Sequence, residues 1–159
     1  MGFQKFFIDI WILVQNSDKE IKFIADIAGM RGSEKRKHPR VQIYDPISFV
    51  GIGSQGIHVG QNVGVARDVS LDGIRIESVC DIETENIVLT FVDEDQQFND
   101  IPGKVVYSRR NEAGNFEIGV RLQGKQKENV EFIKKLVRHY HYNKQNSRLI
   151  TSPSNLHRG

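Results

Sequence analysis

The sequence has almost no cysteine: Cys80 is the single one among 159 residues. One thiol forms neither an internal disulfide nor a zinc site built from several cysteines, which favours a reducing compartment. A net charge of +2 is too balanced for a general nucleic-acid binder. The apolar stretch 6–14, interrupted by Asp9, is shorter than the roughly 20 residues that a transmembrane helix needs. No small-residue cleavage site follows it directly, so we expect a cytoplasmic protein without a signal peptide.

Enzyme signatures are also missing. None of the five histidines lies in an HExxH frame, and a single cysteine excludes a CxxC pair. His139 and His141 are two residues apart on a predicted helix and therefore point to different faces. The chain contains no nucleophile elbow and no phosphate loop ending in Gly-Lys-Ser/Thr. We therefore predict a non-catalytic protein with no metal site and no cofactor.

The first thirty residues have the periodicity of helices. Apolar residues recur at helical spacing on one face, at Phe3, Phe6, Phe7, Ile10, Trp11 and Val14. Ser17 and Glu20 have the spacing of a capping box that begins a second helix, and Gly29 can end it. We predict an N-terminal helical segment over 1–30. Its apolar face needs a partner, so a homodimer is conceivable, with packing on protein favoured over a membrane surface.

The positive charge gathers directly after this segment, where five of the ten residues 31–40 are Lys or Arg. Pro39 disfavours helix at the preceding residue. We interpret 31–41 as a flexible basic connector that carries an RxxxR pair, Arg36 and Arg40. In an extended chain, residues four apart lie on the same side about 13 Å from each other. Two arginines so placed suit a planar anion, because the guanidinium binds phosphate and guanine edges bidentately and stacks on bases. The alternative is a solvated basic linker.

Short strands separated by turn signals follow. The predicted strands are 46–52, 62–69, 73–79, 86–92, 101–109 and 115–122. Evenly spaced strands without intervening helices favour an antiparallel barrel or sandwich, and six strands suit a small closed barrel over 42–124. A helix is predicted over 125–143, with a buried stripe of Val130, Ile133, Leu136, Val137 and Tyr140. Residues 144–159 are polar and aperiodic, which predicts a disordered tail.

A second motif, Asp68-Val69-Ser70-Leu71-Asp72-Gly73, has the pattern DxSxxG between two predicted strands. Asp68 can accept the N–H of Ser70 in an Asx turn, or accept hydrogen bonds from the edge of a guanine. Gly73 can adopt positive φ and lets a flat ligand approach the backbone. The alternative is an ordinary tight turn.

Together the two motifs resemble those of the PilZ domain family, bacterial receptor modules for cyclic di-GMP. The resemblance covers about 34–142 and includes the strand 73–76 and the segment Ile118-Gly119-Val120-Arg121-Leu122. It implies a six-stranded β-barrel with a C-terminal helix. It also implies that Arg36 and Arg40 clamp guanines and phosphates, that Asp68 and Ser70 bind a guanine, and that Gly73 gives it room. Lys35 directly precedes RxxxR. In the family this neighbouring position is thought to influence whether one ligand or a stacked pair is bound.

The position of the connector between the N-terminal segment and the barrel suggests a signalling hypothesis as well. Ligand binding would order the connector, reorient the N-terminal segment against the barrel and alter a surface for a downstream protein partner. Two alternatives stay open: a PilZ-like interaction scaffold that binds no nucleotide, and an RNA or single-strand binder. The second is disfavoured because aromatic residues do not alternate with basic ones along the strands, so we expect no DNA or RNA partner.

Overall fold

The computed structural model describes residues 40–150, with side chains described through 147. The predicted N-terminal helical segment, the connector before Arg40, and 151–159 lie outside the described residues. The described chain forms six strands, a short 3₁₀ turn at Ser54–Gly56 and one helix, α1 (Gln126–Ile150). The strands are β1 (Val41–Ile52), β2 (His58–Val69), β3 (Gly73–Ser78), β4 (Asn86–Val92), β5 (Phe98–Arg110) and β6 (Phe116–Leu122).

The strands close into a barrel in the order β1-β2-β3-β6-β5-β4, and every neighbouring pair is antiparallel. This confirms the predicted six-stranded barrel with a C-terminal helix. The strands alternate as a closed barrel requires: every second residue of β1 from Ile43 to Gly51 is buried, while the residues between them are exposed or partly exposed. The same alternation fills the interior with aliphatic and aromatic side chains, including Ile76, Leu89 and Phe91.

Strand ends differ from the prediction. β1 begins at Val41, which pairs with Val69, so the last residue of the predicted connector belongs to the barrel. Pro46 lies inside β1, although it was predicted to begin the strand. Pro46 is tolerated because this part of β1 pairs with β2 but not with β4, whose pairing begins at Ser48. On the unpaired side of a strand, the missing N–H of a proline costs little.

The helix is longer than predicted. It continues to Ile150, so the prediction of a disordered tail from residue 144 is wrong over 144–150. These residues include no glycine or proline, the first later proline is Pro153, and lysine, glutamine, arginine and leucine favour helix. No helix in the described part of the chain combines the length and apolar character needed to cross a membrane.

α1 closes the barrel by burying one face on it. Ile133, Leu136 and Val137 belong to the core, as predicted, and Tyr140 packs partly buried against it. Phe132, which the periodicity did not single out, is also buried, with its ring 5.2 Å from that of Phe91 in an edge-to-face arrangement. The helix and barrel therefore share one hydrophobic core.

A polar contact fastens the middle of α1 to β1. Asp45 points inward and is 1% exposed, and its Oδ2 lies 2.6 Å from His139 Nδ1. Asn143 Nδ2 donates to Asp45 Oδ1 at 3.4 Å. Burial raises the pKa of Asp45 above the ordinary carboxyl value, and the hydrogen bond and charge of His139 offset part of that rise. His139 is thus a structural partner of a buried carboxyl.

This contact makes stability depend on pH. A carboxyl whose folded-state pKa is raised contributes stability that is fully present below its unfolded pKa and lost as pH rises through the folded pKa. His139→Ala removes the group that limits the rise in the pKa of Asp45. The loss in the free energy of unfolding that it causes should therefore grow with pH. We expect a loss of about 1–3 kcal/mol in the free energy of unfolding at about pH 8 and a smaller loss at about pH 5. Urea unfolding at both pH values measures it.

The control is Asp45→Asn/His139→Ala, which carries no ionisable group at this contact. Between about pH 5 and about pH 8 the free energy of unfolding of this double variant should change less than that of His139→Ala alone, whereas an equal cost of His139→Ala alone at both pH values would contradict the assignment.

Candidate functional site

The turn between β2 and β3 is organised by Ser70. Its backbone N–H donates to the Gly73 carbonyl at 2.8 Å, and its hydroxyl donates to Asp72 Oδ1 at 2.7 Å. The Gly73 N–H in turn donates to Ser70 Oγ at 3.1 Å. The predicted Asx turn is therefore wrong, because the Ser70 N–H is used within the turn and the Asp68 carboxylate is free to face elsewhere.

Gly73 has a packing role that the sequence did not predict, and the positive φ predicted for it is wrong. The glycines with positive φ in the described chain are Gly56, Gly60 and Gly114, so Gly73 does not use that conformation. It starts β3 opposite Arg121 of β6, and a Cβ built on it would lie 2.9 Å from the Val120 carbonyl oxygen. The absence of a side chain lets β3 approach β6 closely.

Asp68 lies between two arginines. Arg40 Nη1 donates to Asp68 Oδ1 at 3.0 Å, and Arg75 Nε donates to Oδ2 at 2.5 Å. The Asp68 side chain is 7% exposed, whereas both arginines are about one third exposed at 33% and 32%. A carboxylate this far from water needs cationic partners, and each of its oxygens has one.

The ion pairs continue across the outside of the barrel. Arg75 Nη1 lies 3.5 Å from Glu117 Oε2 on β6, and Arg109 Nη2 of β5 donates to Glu117 Oε1 at 2.6 Å. The hydrogen bond from Arg109 holds the pKa of Glu117 below its usual value. We call Arg40, Asp68, Arg75, Glu117 and Arg109 the ion-pair row. Opposite charges alternate along it from the start of β1 to β5.

A cation–π pair lies on the surface of β1 and β2. Tyr44 on β1 is 61% exposed, and the guanidinium of Arg67 on β2 lies 5.2 Å from the centre of its ring. Arg67 Nη1 is also 3.5 Å from Glu77 Oε2. A flat ring and a guanidinium plane at the surface are groups on which another planar ring can stack.

The structure brings four of the six predicted site residues together: Arg40, Asp68, Ser70 and Gly73 meet where β1 begins and β2 turns into β3. Arg36 and Lys35 lie outside the described residues. The sequence reasoning missed Arg75, Glu117 and Arg109. Charged residues alternate with apolar ones on β3, β5 and β6 and could have indicated an outward charged face. Which of these charges meet can be inferred only once the strand order is known.

Within 40–150, no group of three or more His, Cys, Asp or Glu side chains is arranged to hold a metal ion.

Gly73→Ala tests the close approach of β3 to β6. The added methyl group would force the two backbones apart, so we expect a loss of about 1–3 kcal/mol in the free energy of unfolding. Urea unfolding measures the change, and Gln42→Ala, on the exposed face of β1, is the control for an ordinary surface substitution. Equal stability of Gly73→Ala and the wild type would contradict the packing argument.

Comparison with solved structures finds proteins of low identity. The inhibitor of motility MotI/DgrA of Bacillus subtilis is 10% identical with a TM-score of 0.49, over 73% of this chain and 54% of that one. The PilZ domain of YcgR from Escherichia coli with c-di-GMP is 8% identical with a TM-score of 0.48, over 72% and 98%. The MrkH–c-di-GMP complex of K. pneumoniae is 14% identical with a TM-score of 0.48, over 72% and 55%. The chain thus spans about half the length of MotI/DgrA and of MrkH.

No curated protein matches the chain. The family model of the PilZ domain, in contrast, matches residues 34–139, which is more than half of the sequence. The matched range contains every strand of the barrel, both arginines of RxxxR and the whole DxSxxG turn. The chain belongs to the PilZ domain family.

Proposed function

We propose that this protein is a non-catalytic bacterial receptor for cyclic di-GMP, with its site at Arg40, Asp68 and the Ser70–Gly73 turn. The observation that carries the proposal is the Arg40–Asp68 contact. It joins the second arginine of RxxxR to the first residue of DxSxxG across 28 residues of sequence. Membership of the PilZ family supports it, because the family is known for receptors of this dinucleotide.

The ligand chemistry fits these groups. Cyclic di-GMP has two phosphates, each with a negative charge, and two guanines. A guanidinium neutralises a phosphate and stacks on a base, while a carboxylate accepts the N1–H and N2–H of a guanine. Because Arg40 occupies Asp68 Oδ1, we infer that binding exchanges partners. Arg40 moves onto the ligand and Asp68 accepts the guanine edge.

The connector supplies the rest of the proposed clamp. Arg36 stands four residues before Arg40, which in extended chain places both guanidinium groups on one side. Lys35 adds a positive charge next to them. In this proposal the ligand orders the connector against the barrel and changes the surface offered to a downstream protein partner in the cytoplasm.

One observation favours a second candidate, a PilZ scaffold that binds no nucleotide. Both oxygens of Asp68 already have arginine partners, so the carboxylate needs no ligand to be satisfied. A scaffold of this kind would show no heat on titration with cyclic di-GMP.

Isothermal titration calorimetry separates the two candidates. We expect the wild type to bind cyclic di-GMP with a dissociation constant of about 1 µM or less, and Arg36→Ala/Arg40→Ala to bind at least about tenfold more weakly. Arg110→Ala is the matched control, since Arg110 is an exposed arginine paired with Phe116 at the opposite end of the barrel. Absence of heat with a folded wild type would support the scaffold instead.

The ordering of the connector has its own test. Amide hydrogen exchange in residues 31–41 should slow at saturating cyclic di-GMP, because a bound backbone is protected from exchange. The β4 strand serves as the internal reference, since it pairs with β1 over Ser48–Ile52, at the end of β1 away from Arg40. Unchanged hydrogen exchange of residues 31–41 in the saturated protein would contradict the proposed ordering of the connector.

A further inference from the structure

We propose that Arg75 is a positioning residue that pins the Asp68 carboxylate for guanine and thereby sets the selectivity of the site, an inference that rests on the proposed function. Arg75 belongs to neither the RxxxR nor the DxSxxG motif. It lies within β3 and occupies the Asp68 oxygen that Arg40 does not.

The two arginines hold Asp68 from very different places in the chain. Arg40 immediately precedes β1, at the end of the basic connector. Arg75 lies in the middle of β3, where its backbone pairs with Asp68 on one side and Gly119 on the other. A residue built into the sheet on both sides has far less freedom than one at the start of a strand. Arg75 is therefore the partner that stays when Arg40 is exchanged for a ligand.

Arg75 is itself held in position. Its Nη1 lies 3.5 Å from Glu117 Oε2, and the other oxygen of Glu117 accepts from Arg109 at 2.6 Å. Opposite Arg75, Gly119 has no side chain and the Tyr107 ring covers the place where one would be. The guanidinium thus lies between two acids on a surface fixed by three strands.

A pinned carboxylate has a consequence for recognition. The terminal torsion of an aspartate is soft, so without a partner on Oδ2 the carboxylate can rotate. With Oδ2 fixed by Arg75, Oδ1 keeps its place when Arg40 leaves, and the buried charge stays compensated. Guanine presents donors at N1 and N2 to such an acceptor. Adenine presents an unprotonated N1, which a carboxylate repels.

The test uses Arg75→Gln, with Arg75→Lys as the variant that keeps the charge and Arg110→Gln as the matched arginine control on β5. Cyclic di-GMP and cyclic di-AMP, the same ring with adenine bases, are titrated into each by calorimetry or by competition. Thermal unfolding checks that each variant folds. If Arg75→Gln does not fold, Arg75→Lys carries the test, since it removes the fork of the guanidinium but retains the cation.

We expect Arg75→Gln to weaken cyclic di-GMP binding about tenfold or more. Its preference for cyclic di-GMP over cyclic di-AMP should fall by a similar factor, Arg75→Lys should lie between, and Arg110→Gln should match the wild type. Unchanged affinity and preference would overturn the inference. An equal loss for both ligands would overturn it too, because a merely structural arginine lowers affinity without changing the preference. A wild type that binds no cyclic di-GMP would refute the proposed function itself, and this inference with it.

Discussion

The site depends on one electrostatic constraint: an aspartate carboxylate on the barrel surface is almost shut off from water. With its side chain 7% exposed, Asp68 must be compensated by cations, and it has one arginine on each oxygen. Arg75 ties it to the sheet, whereas Arg40 ties it to the chain that enters the barrel. One of these cations is fixed and the other lies at the end of a basic connector. The proposed exchange of the second cation for the N–H donors of a guanine therefore leaves the carboxylate with one arginine partner.

The fold could be predicted from alternation and turns, because a closed barrel imposes a two-residue period on every strand. The strand ends could not. The prediction began β2 at 62, whereas His58–Gln61 lie in the strand because their backbone pairs with β1, although their side chains are exposed. Backbone pairing does not depend on side-chain hydropathy, so the hydropathy pattern of a single sequence does not predict it. The length of α1 was underestimated for a similar reason, since residues 144–148 are polar but 144–150 contain no glycine or proline.

The candidate site was predictable only where its residues are consecutive in sequence. RxxxR and DxSxxG are short patterns beside a strand and at a turn, so they could be read directly. Arg75, Glu117 and Arg109 meet because β3 pairs with β6 and β6 with β5, an order that differs from the sequence. The Asp45–His139 contact joins residues 94 positions apart. The hydrogen bonds of Ser70 within the turn and the close approach at Gly73 could not be predicted, because local patterns do not reveal which backbone lies opposite a turn.

The most direct test of the exchange of partners at Asp68 is a crystal structure of the protein with cyclic di-GMP. We expect a guanine N1 and N2 within hydrogen-bond distance of Asp68, Arg40 moved onto the ligand, and Arg75 still bound to the carboxylate. A ligand bound elsewhere, with the 3.0 Å contact between Arg40 and Asp68 intact, would contradict it.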